Sequence, residues 1–279
     1  MITMKDVTFG YTKKKKLFSD LALDLSEGNI YGLLGKNGAG KTTLLKIMTG
    51  LMFPEKGTCR VLDFDVRERN VAALRELFLI PEDFSVPNLK SRQYLDLYSP
   101  LYPRFDRNIM ESYIQEFEIP ENESLTALSY GQKKKFLVAF ALATDCRLLV
   151  FDEPTNGLDI PSKSQFRKLV ASALTENRTF VISTHQVRDM ERIIDPVIIL
   201  DEGSIIFQQD SGVIGKKLTI SLTQDKPADD EALYYEKVLG GWAVISQNKR
   251  NNHTQIDLEL LFNAVTRNKD RITRIFMED

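Results

Sequence analysis

Cysteine is almost missing from this sequence: Cys59 and Cys146 are the only two in 279 residues. They supply neither a disulfide framework nor a metal-ligand spacing. Histidine is as scarce, with His185 and His253 alone, so any histidine that chemistry requires must be one of these. No apolar run approaches the roughly 20 residues that cross a bilayer. If the chain serves a membrane process, another chain must supply the membrane part. A dominant charge sign is lacking too: the net charge of −2 gives no overall basic field to recruit nucleic acid. No secretory leader is visible at Met1-Ile2-Thr3-Met4-Lys5, so a reducing cytosol is the expected compartment. Internal repeats and sustained heptads are absent. What remains, 43% hydrophobic and 27% charged, suits a soluble globular protein of one large domain with a small appendix.

Against this background one octet stands out. Residues 35–42 read Gly-Lys-Asn-Gly-Ala-Gly-Lys-Thr, a phosphate-binding loop of the form G-x-x-x-x-G-K-[ST]. Gly35, Gly38 and Gly40 let the backbone turn tightly and aim its N–H groups at a polyphosphate. Lys41 brings a positive charge to the β- and γ-phosphates, and the Thr42 hydroxyl can ligate Mg²⁺. A Gly-rich strand-to-helix turn would share some of this pattern. The flanks decide the matter: Ile30–Leu34 reads as a buried strand and Thr43–Met48 as a helix whose positive end faces the ligand. The whole stretch Gly35, Lys36, Asn37, Gly38, Ala39, Gly40, Lys41, Thr42 and Thr43 is therefore the expected nucleotide cradle.

Further along, short apolar runs alternate with helical patterns. Residues 2–9 and 21–25 read as strands, with Lys13–Lys16 a solvated hairpin tip between them. Pro54–Gly57 reads as a turn before a strand through Cys59–Leu62. Leu77–Ile80 reads as a buried strand stopped by Pro81. Residues 88–119 read as helix in two or three pieces, broken by Pro100 and Pro103, with Asp106 as an N-cap. Leu148–Phe151 and Thr179–Ser183 have the composition of buried parallel strands, with a helix over about Ser162–Leu174 between them. This β–α–β alternation predicts an α/β sheet. Val197–Leu200 and Ser204–Phe207 form a strand pair around Asp201-Glu202-Gly203. Residues 208–212 read as a linker. Beyond it, Leu218–Leu222 and Trp242–Ile245 suggest strands, and Leu258, Leu261, Phe262 and Val265 fall at helical spacing.

The run Leu148-Leu149-Val150-Phe151-Asp152-Glu153 is the second chemical element. Four apolar residues ending in two carboxylates suit a central strand that delivers both to the nucleotide edge of the sheet. Asp152 is placed to hold Mg²⁺, and Glu153 to polarise an attacking water. Between the two elements lies Leu128-Ser129-Tyr130-Gly131-Gln132. Ser129 and Gln132 have the spacing of a capping box, so a helix opens there. Lys133–Lys135 reads as a solvated helix face, and His253, in a polar stretch, as an exposed residue.

These residues resemble the ATP-binding cassette (ABC) family, whose signature is Leu-Ser-Gly-Gly-Gln; Tyr130 departs from the first glycine. The resemblance implies that Ser129, Gly131 and Gln132 grip the γ-phosphate of ATP held by a second subunit. Glu153-Pro154-Thr155-Asn156-Gly157-Leu158-Asp159 is similar to the loop after that family's catalytic glutamate, with Asp159 communicating across the dimer. Ser183-Thr184-His185 is similar to its switch-histidine segment, with His185 at the γ-phosphate beside Glu153. Tyr11 matches the aromatic residue that stacks on adenine. Glu82 stands where the family usually has a glutamine that touches Mg²⁺ and senses the transporter partner. A carboxylate can approach Mg²⁺ through water but cannot donate an amide hydrogen bond.

The implied fold is an α/β P-loop NTPase core with a mainly parallel sheet, an N-terminal antiparallel β subdomain, a helical signature subdomain and a small C-terminal α+β extension. The expected boundaries are 1–212 for the ATP-binding domain, with its helical part at about 84–145, and 213–279 for the extension. The implied function is that of an exporter-type ABC transporter ATPase. Its catalytic residues are Glu153, His185 and Lys41, its cofactors ATP and Mg²⁺, and its metal residues Thr42, Asp152 and Glu82. The expected partners are a second ATPase subunit, a homodimer partner by preference, and an integral-membrane permease, with no nucleic acid; the chain would lie peripherally at the inner face of the membrane. The rival readings are a soluble ABC ATPase of DNA repair or translation, and a regulatory module that binds ATP without turnover.

Overall fold

The computed structural model describes residues 1–120, 122–228, 232–248 and 257–277; His253 lies outside them. The chain opens as an antiparallel hairpin of β1 (Ile2–Phe9) and β2 (Phe18–Leu25). Lys13–Lys16, at its tip, are exposed. β2 starts three residues before the expected Leu21, because Phe18 is buried against the glycine loop. β3 (Ile30–Leu34) is buried at every residue and runs into that loop, after which α1 (Lys41–Met48) begins. β4 (Lys56–Val61) returns beside β1 and pairs with the short β5 (Phe64–Asp65), giving an antiparallel sheet of order β2-β1-β4-β5. The turn expected over 54–57 is shorter than that. Gly57, at φ 78°, already lies in β4 and passes so close to β1 that a Cβ there would meet the Asp6 carbonyl at 2.3 Å.

α2 (Val71–Leu74) leads to β6 (Leu77–Ile80). This strand was expected to be buried, yet only Ile80 is, because β6 is the edge of its sheet. α3 (Ser91–Tyr98) and α4 (Arg107–Glu116) are separated by one 3₁₀ turn carrying Pro100. Asp106 caps α4, its carboxylate accepting from the N–H groups of Asn108 and Ile109. α5 (Tyr130–Ala143) follows, then β7 (Leu148–Asp152), α6 (Ile160–Ser172), β8 (Thr179–Thr184), α7 (Val187–Met190), β9 (Val197–Asp201) and β10 (Ser204–Gln209). The main sheet has the order β10-β9-β3-β8-β7-β6, and every pairing except β10 with β9 is parallel. β3, β7 and β8 are buried at every position, as expected of parallel strands covered on both faces. Helix α5 lies almost wholly inside, with Phe136–Ala143 all buried. Each large apolar side chain so buried contributes about 1.5–3 kcal/mol.

The register of the central strands positions the chemistry. Leu34 of β3 pairs with Thr184 of β8, and Asp152 of β7 pairs with Ser183. The residues that follow these three adjacent strands therefore leave the sheet at one shared edge, the edge where ligands bind in open α/β sheets.

Residues 208–212 do not form a linker. Gln208 and Gln209 complete β10, and α8 (Ser211–Lys217) follows Asp210 directly, burying Ile214. Three further strands, β11 (Leu218–Thr223), β12 (Tyr234–Val238) and β13 (Gly241–Gln247), make a small antiparallel sheet of order β11-β13-β12. α9 (Leu258–Arg267) packs against it, and α10 (Lys269–Met277) packs on α9 and, through Phe276, on Phe207 of β10. Leu218, Tyr234, Ile245, Leu261 and Val265 share one apolar cluster with Phe166 and Phe207 of the main body. At the start of α9 the Leu258 N–H donates to Glu191 Oε1 at 2.9 Å, and Arg188 pairs with Glu259 at 2.5 Å. Among the described residues no helix is long and apolar enough to cross a membrane. Cys59 and Cys146 are both buried, and burial pushes each thiol up to about 12, which leaves them inert.

Candidate functional site

The loop after β3 closes over a cleft of about 430 Å³ at the shared sheet edge. Gly40, at φ 110°, is the residue before α1, and the helix has no side-chain cap. Its first N–H groups are thereby free for an anion. No larger residue fits at Gly40: a Cβ would sit 2.8 Å from the Phe18 ring, in a backbone region that L side chains avoid. Lys36, Asn37, Gly38, Gly40, Lys41, Thr42 and Thr43 all line the cleft, together with Tyr11, Glu82, Glu153 and His185. Gly35 and Ala39 belong to the same loop; Ala39 is buried beneath it.

The two carboxylates after β7 differ in role. Asp152 is 2% exposed and accepts a hydrogen bond from Thr42 Oγ1 at 2.6 Å. Its other oxygen accepts from Ser183 Oγ. Glu153, 3% exposed, lies in the left-handed region at φ 47°, and this turn of the chain aims its carboxylate back into the cleft. Glu153 Oε1 stands 2.8 Å from His185 Nδ1 and 3.5 Å from Lys41 Nζ, and Glu153 Oε2 accepts from the His185 backbone N–H at 3.3 Å. Lys41 Nζ also donates to Gly35 O at 2.8 Å. A cation, a carboxylate and an imidazole thus meet at one point beside the loop. Together they can bind a phosphate chain and hold a water for in-line attack.

Ser183 was not singled out in the sequence. Besides its bond to Asp152, it accepts from the Glu153 N–H at 3.1 Å, so it fixes both carboxylates. Its position at the end of an apolar strand, one residue before Thr184-His185, was the available signal. Tyr11 is 64% exposed, meets the Phe9 ring edge-on at 5.3 Å and shares a 2.8 Å hydrogen bond with Thr43 Oγ1. Its ring is free to offer a face to a planar group. Glu82 lines the cleft, and its Oε1 accepts from Asn156 Nδ2 at 3.0 Å.

Ser129, Gly131, Gln132 and Asp159 do not join the cleft lining. Ser129 caps α5 by accepting from the Gln132 N–H at 3.2 Å, while Gln132 Oε1 accepts from the Ser129 N–H at 2.9 Å. Asp159 caps α6 by accepting from the Ser162 N–H at 2.8 Å, and this bond holds its carboxyl below the usual range. Tyr130 stacks on Phe84 at 5.2 Å, and its hydroxyl donates to Glu82 O at 2.9 Å. The lysine run Lys133–Lys135 is not a solvated face throughout. Lys134 is 0% exposed, because it falls on the side of α5 covered by the Glu153–Asn156 turn and the Phe84 and Tyr130 rings.

The family model described as "ABC transporter" matches residues 18–156. Bacitracin transport ATP-binding protein BcrA of Bacillus licheniformis is 32% identical over 213 residues, which are 74% of this chain and 68% of that protein. Nod factor export ATP-binding protein I of Rhizobium etli is 33% identical over 211 residues, 74% of this chain and 66% of the relative. Among solved structures, one described as the ATP binding subunit of an ABC transporter superposes with a TM-score of 0.70 at 24% identity, covering 77% of this chain and 91% of that one. At that identity it speaks for the fold alone.

Proposed function

This chain belongs to the ABC transporter family, and on that premise we propose that it is the ATP-binding and ATP-hydrolysing subunit of a transporter of export type. The observation that carries the proposal is the meeting of Lys41, Glu153 and His185 beside the phosphate loop, with Thr42 bonded to Asp152. In this reading the loop N–H groups and Lys41 hold the β- and γ-phosphates, Tyr11 stacks on the base, and Glu153 accepts a proton from the attacking water. His185 orients Glu153 and the γ-phosphate.

The donor set beside the loop fits Mg²⁺. The Thr42 hydroxyl and an Asp152 carboxylate oxygen already stand 2.6 Å apart, and a hard cation of this kind takes a few protein oxygens and completes its shell with water and phosphate. Thr42 and Asp152 would hold the ion, with Glu82 reaching it through water; bound there, it would neutralise charge on the β- and γ-phosphates.

Ser129, Gly131 and Gln132 lie outside the cleft and serve the ATP of a second copy placed head to tail, with Asp159 at the seam. A homodimer is the simplest such assembly. Closure on ATP and reopening after hydrolysis would drive a membrane permease that holds the chain at the cytoplasmic face. Residues 1–212 would be the ATP-binding domain, with its helical part at about 84–145, and 213–279 the extension. Export is favoured by the name of the Nod factor relative. The test is ATP turnover by the purified chain and by Glu153→Gln. Wild-type hydrolysis that disappears in the variant, with ATP still bound, is the expected result. Normal turnover in Glu153→Gln would remove Glu153 from its role, and co-purification without any membrane protein would argue against the permease.

A further inference from the structure

Lys134 sits on α5 five residues beyond Ser129, fully buried. Among the described residues its ammonium forms no ion pair with a carboxylate. Instead Nζ donates to Glu153 O at 2.9 Å and to Asn156 O at 3.0 Å. These two carbonyls belong to the turn in which Glu153 adopts its left-handed φ of 47°, a turn also closed by the Asn156 N–H on Glu153 O at 3.2 Å. The Tyr130 ring lies 5.2 Å from Nζ and the Phe84 ring 6.0 Å. Tyr130 is also bonded to Glu82 O, and Asn156 to the Glu82 carboxylate. Burial pushes the ammonium down to about 8, in keeping with an enclosed position.

A buried lysine is expensive unless its N–H groups are satisfied. Here the partners are two backbone carbonyls on the turn that carries the catalytic carboxylate, and one helical turn separates the lysine from Ser129. We propose that Lys134 is a positioning residue for Glu153: it bolts the first turns of α5 to the Glu153–Asn156 turn, so that where α5 sits decides where the Glu153 carboxylate points. The inference rests on Glu153 being the hydrolytic carboxylate, as proposed above. In the head-to-tail pair, α5 touches the ATP bound by the other chain, while Glu153 acts on the ATP of its own chain. Lys134 then links the two shared sites through a single protomer. Tyr130, in place of a glycine, lids this link, with its ring over the ammonium and its hydroxyl on Glu82 O.

The test compares Lys134→Met and Lys134→Gln with wild type in the purified chain, measuring ATP affinity and steady-state turnover. Methionine keeps the length and the apolar stem and deletes every N–H donor; glutamine keeps an amide that can donate to the carbonyls. The expected result is ATP affinity within about twofold of wild type in both. Turnover should fall roughly tenfold to a hundredfold in Lys134→Met, as for a misplaced catalytic group, and partly recover in Lys134→Gln. Turnover in Lys134→Met within twofold of wild type would overturn the proposal. So would loss of ATP binding and turnover in equal proportion in both variants, which is the signature of a merely structural lysine. Absence of hydrolysis in wild type, or retention of it in Glu153→Gln, would instead refute the hydrolytic reading on which the inference stands.

Discussion

Two helices of this protein begin at glycine-containing motifs, and their starts are built in opposite ways. α1 is preceded by Gly40 and has no side-chain cap, so its first N–H groups face the cleft unclaimed. α5 starts at Ser129, and a reciprocal pair of bonds with Gln132 satisfies the same kind of groups internally. The open start is ready for a phosphate as soon as the chain folds. The closed start is complete in the isolated chain, and in the proposed dimer it must trade an internal bond for a γ-phosphate oxygen. In the proposed dimer one end would bind unaided, whereas the other would respond to an opposing subunit. This difference gives physical content to the idea that one chain holds half of each site.

The largest expected effects break the open end. Lys41→Ala should abolish ATP binding, read by calorimetry, since it removes the buried ammonium that stands 3.5 Å from Glu153 beside the loop. Glu153→Gln should leave binding intact and lower turnover by roughly 10²–10⁴-fold, the usual worth of a general base, while ATP holds a dimer visible by gel filtration. Next comes the closed end. Ser129→Ala should spare ATP binding by single chains, depress turnover of the dimer, and cost about 1 kcal/mol of stability through the lost cap.

The sharpest test mixes the two classes. A dimer of one Lys41→Ala chain and one Ser129→Ala chain contains one site with both defects and one with neither. Mixing the two impaired variants should therefore raise turnover above that of either alone, by up to about a quarter of wild type, since random pairing makes half the dimers mixed and each of these has one sound site. No recovery at all would sink the shared-site picture. The smallest effect concerns Lys134 and pH. Its folded value, pushed down to about 8, lies below the unfolded 10.5, so between these values the unfolded chain holds the proton that the folded chain has released. Unfolding free energy should thus rise with pH across that window. Urea midpoints at pH 7.5 and 9.5 should show wild type gaining on Lys134→Met.

Much of the site could be read in the sequence because its chemistry is packed into short contiguous runs. Gly35–Thr42 follows a strand, Asp152 and Glu153 end another, and His185 ends a third; parallel pairing then brings all three to one edge. Asp106 could be placed as a cap for the same local reason. What escaped was set by tertiary context. Lys134 sits between two lysines and reads as solvent-facing, yet the helix that carries it is wrapped by the body of the protein. β6 reads as interior from its four apolar residues and turns out to be an edge strand. Residues 208–212 are polar enough to suggest a linker, but they run from strand straight into helix. β12 (Tyr234–Val238) carries no clean apolar alternation, whereas α10 does place Ile272, Ile275 and Phe276 at helical spacing, a signal the sequence offered.

One contact gives the terminal module a bearing on the chemistry. α7 begins two residues after His185 and spans barely a turn, too short to hold itself in water. On one flank α6 grips it, through Lys163 on Asp189 at 2.6 Å and Arg167 on the Asp189 carbonyl at 2.9 Å. On the other, α9 grips it, through Glu191 and the Arg188–Glu259 pair. The segment behaves as a plank resting on two trestles, and the histidine stands at its end. Breaking the outer contacts, made by a helix more than 70 residues downstream, is therefore expected to leave the segment after His185 held from α6 alone. The outer pair is exposed, which makes that hold salt-sensitive.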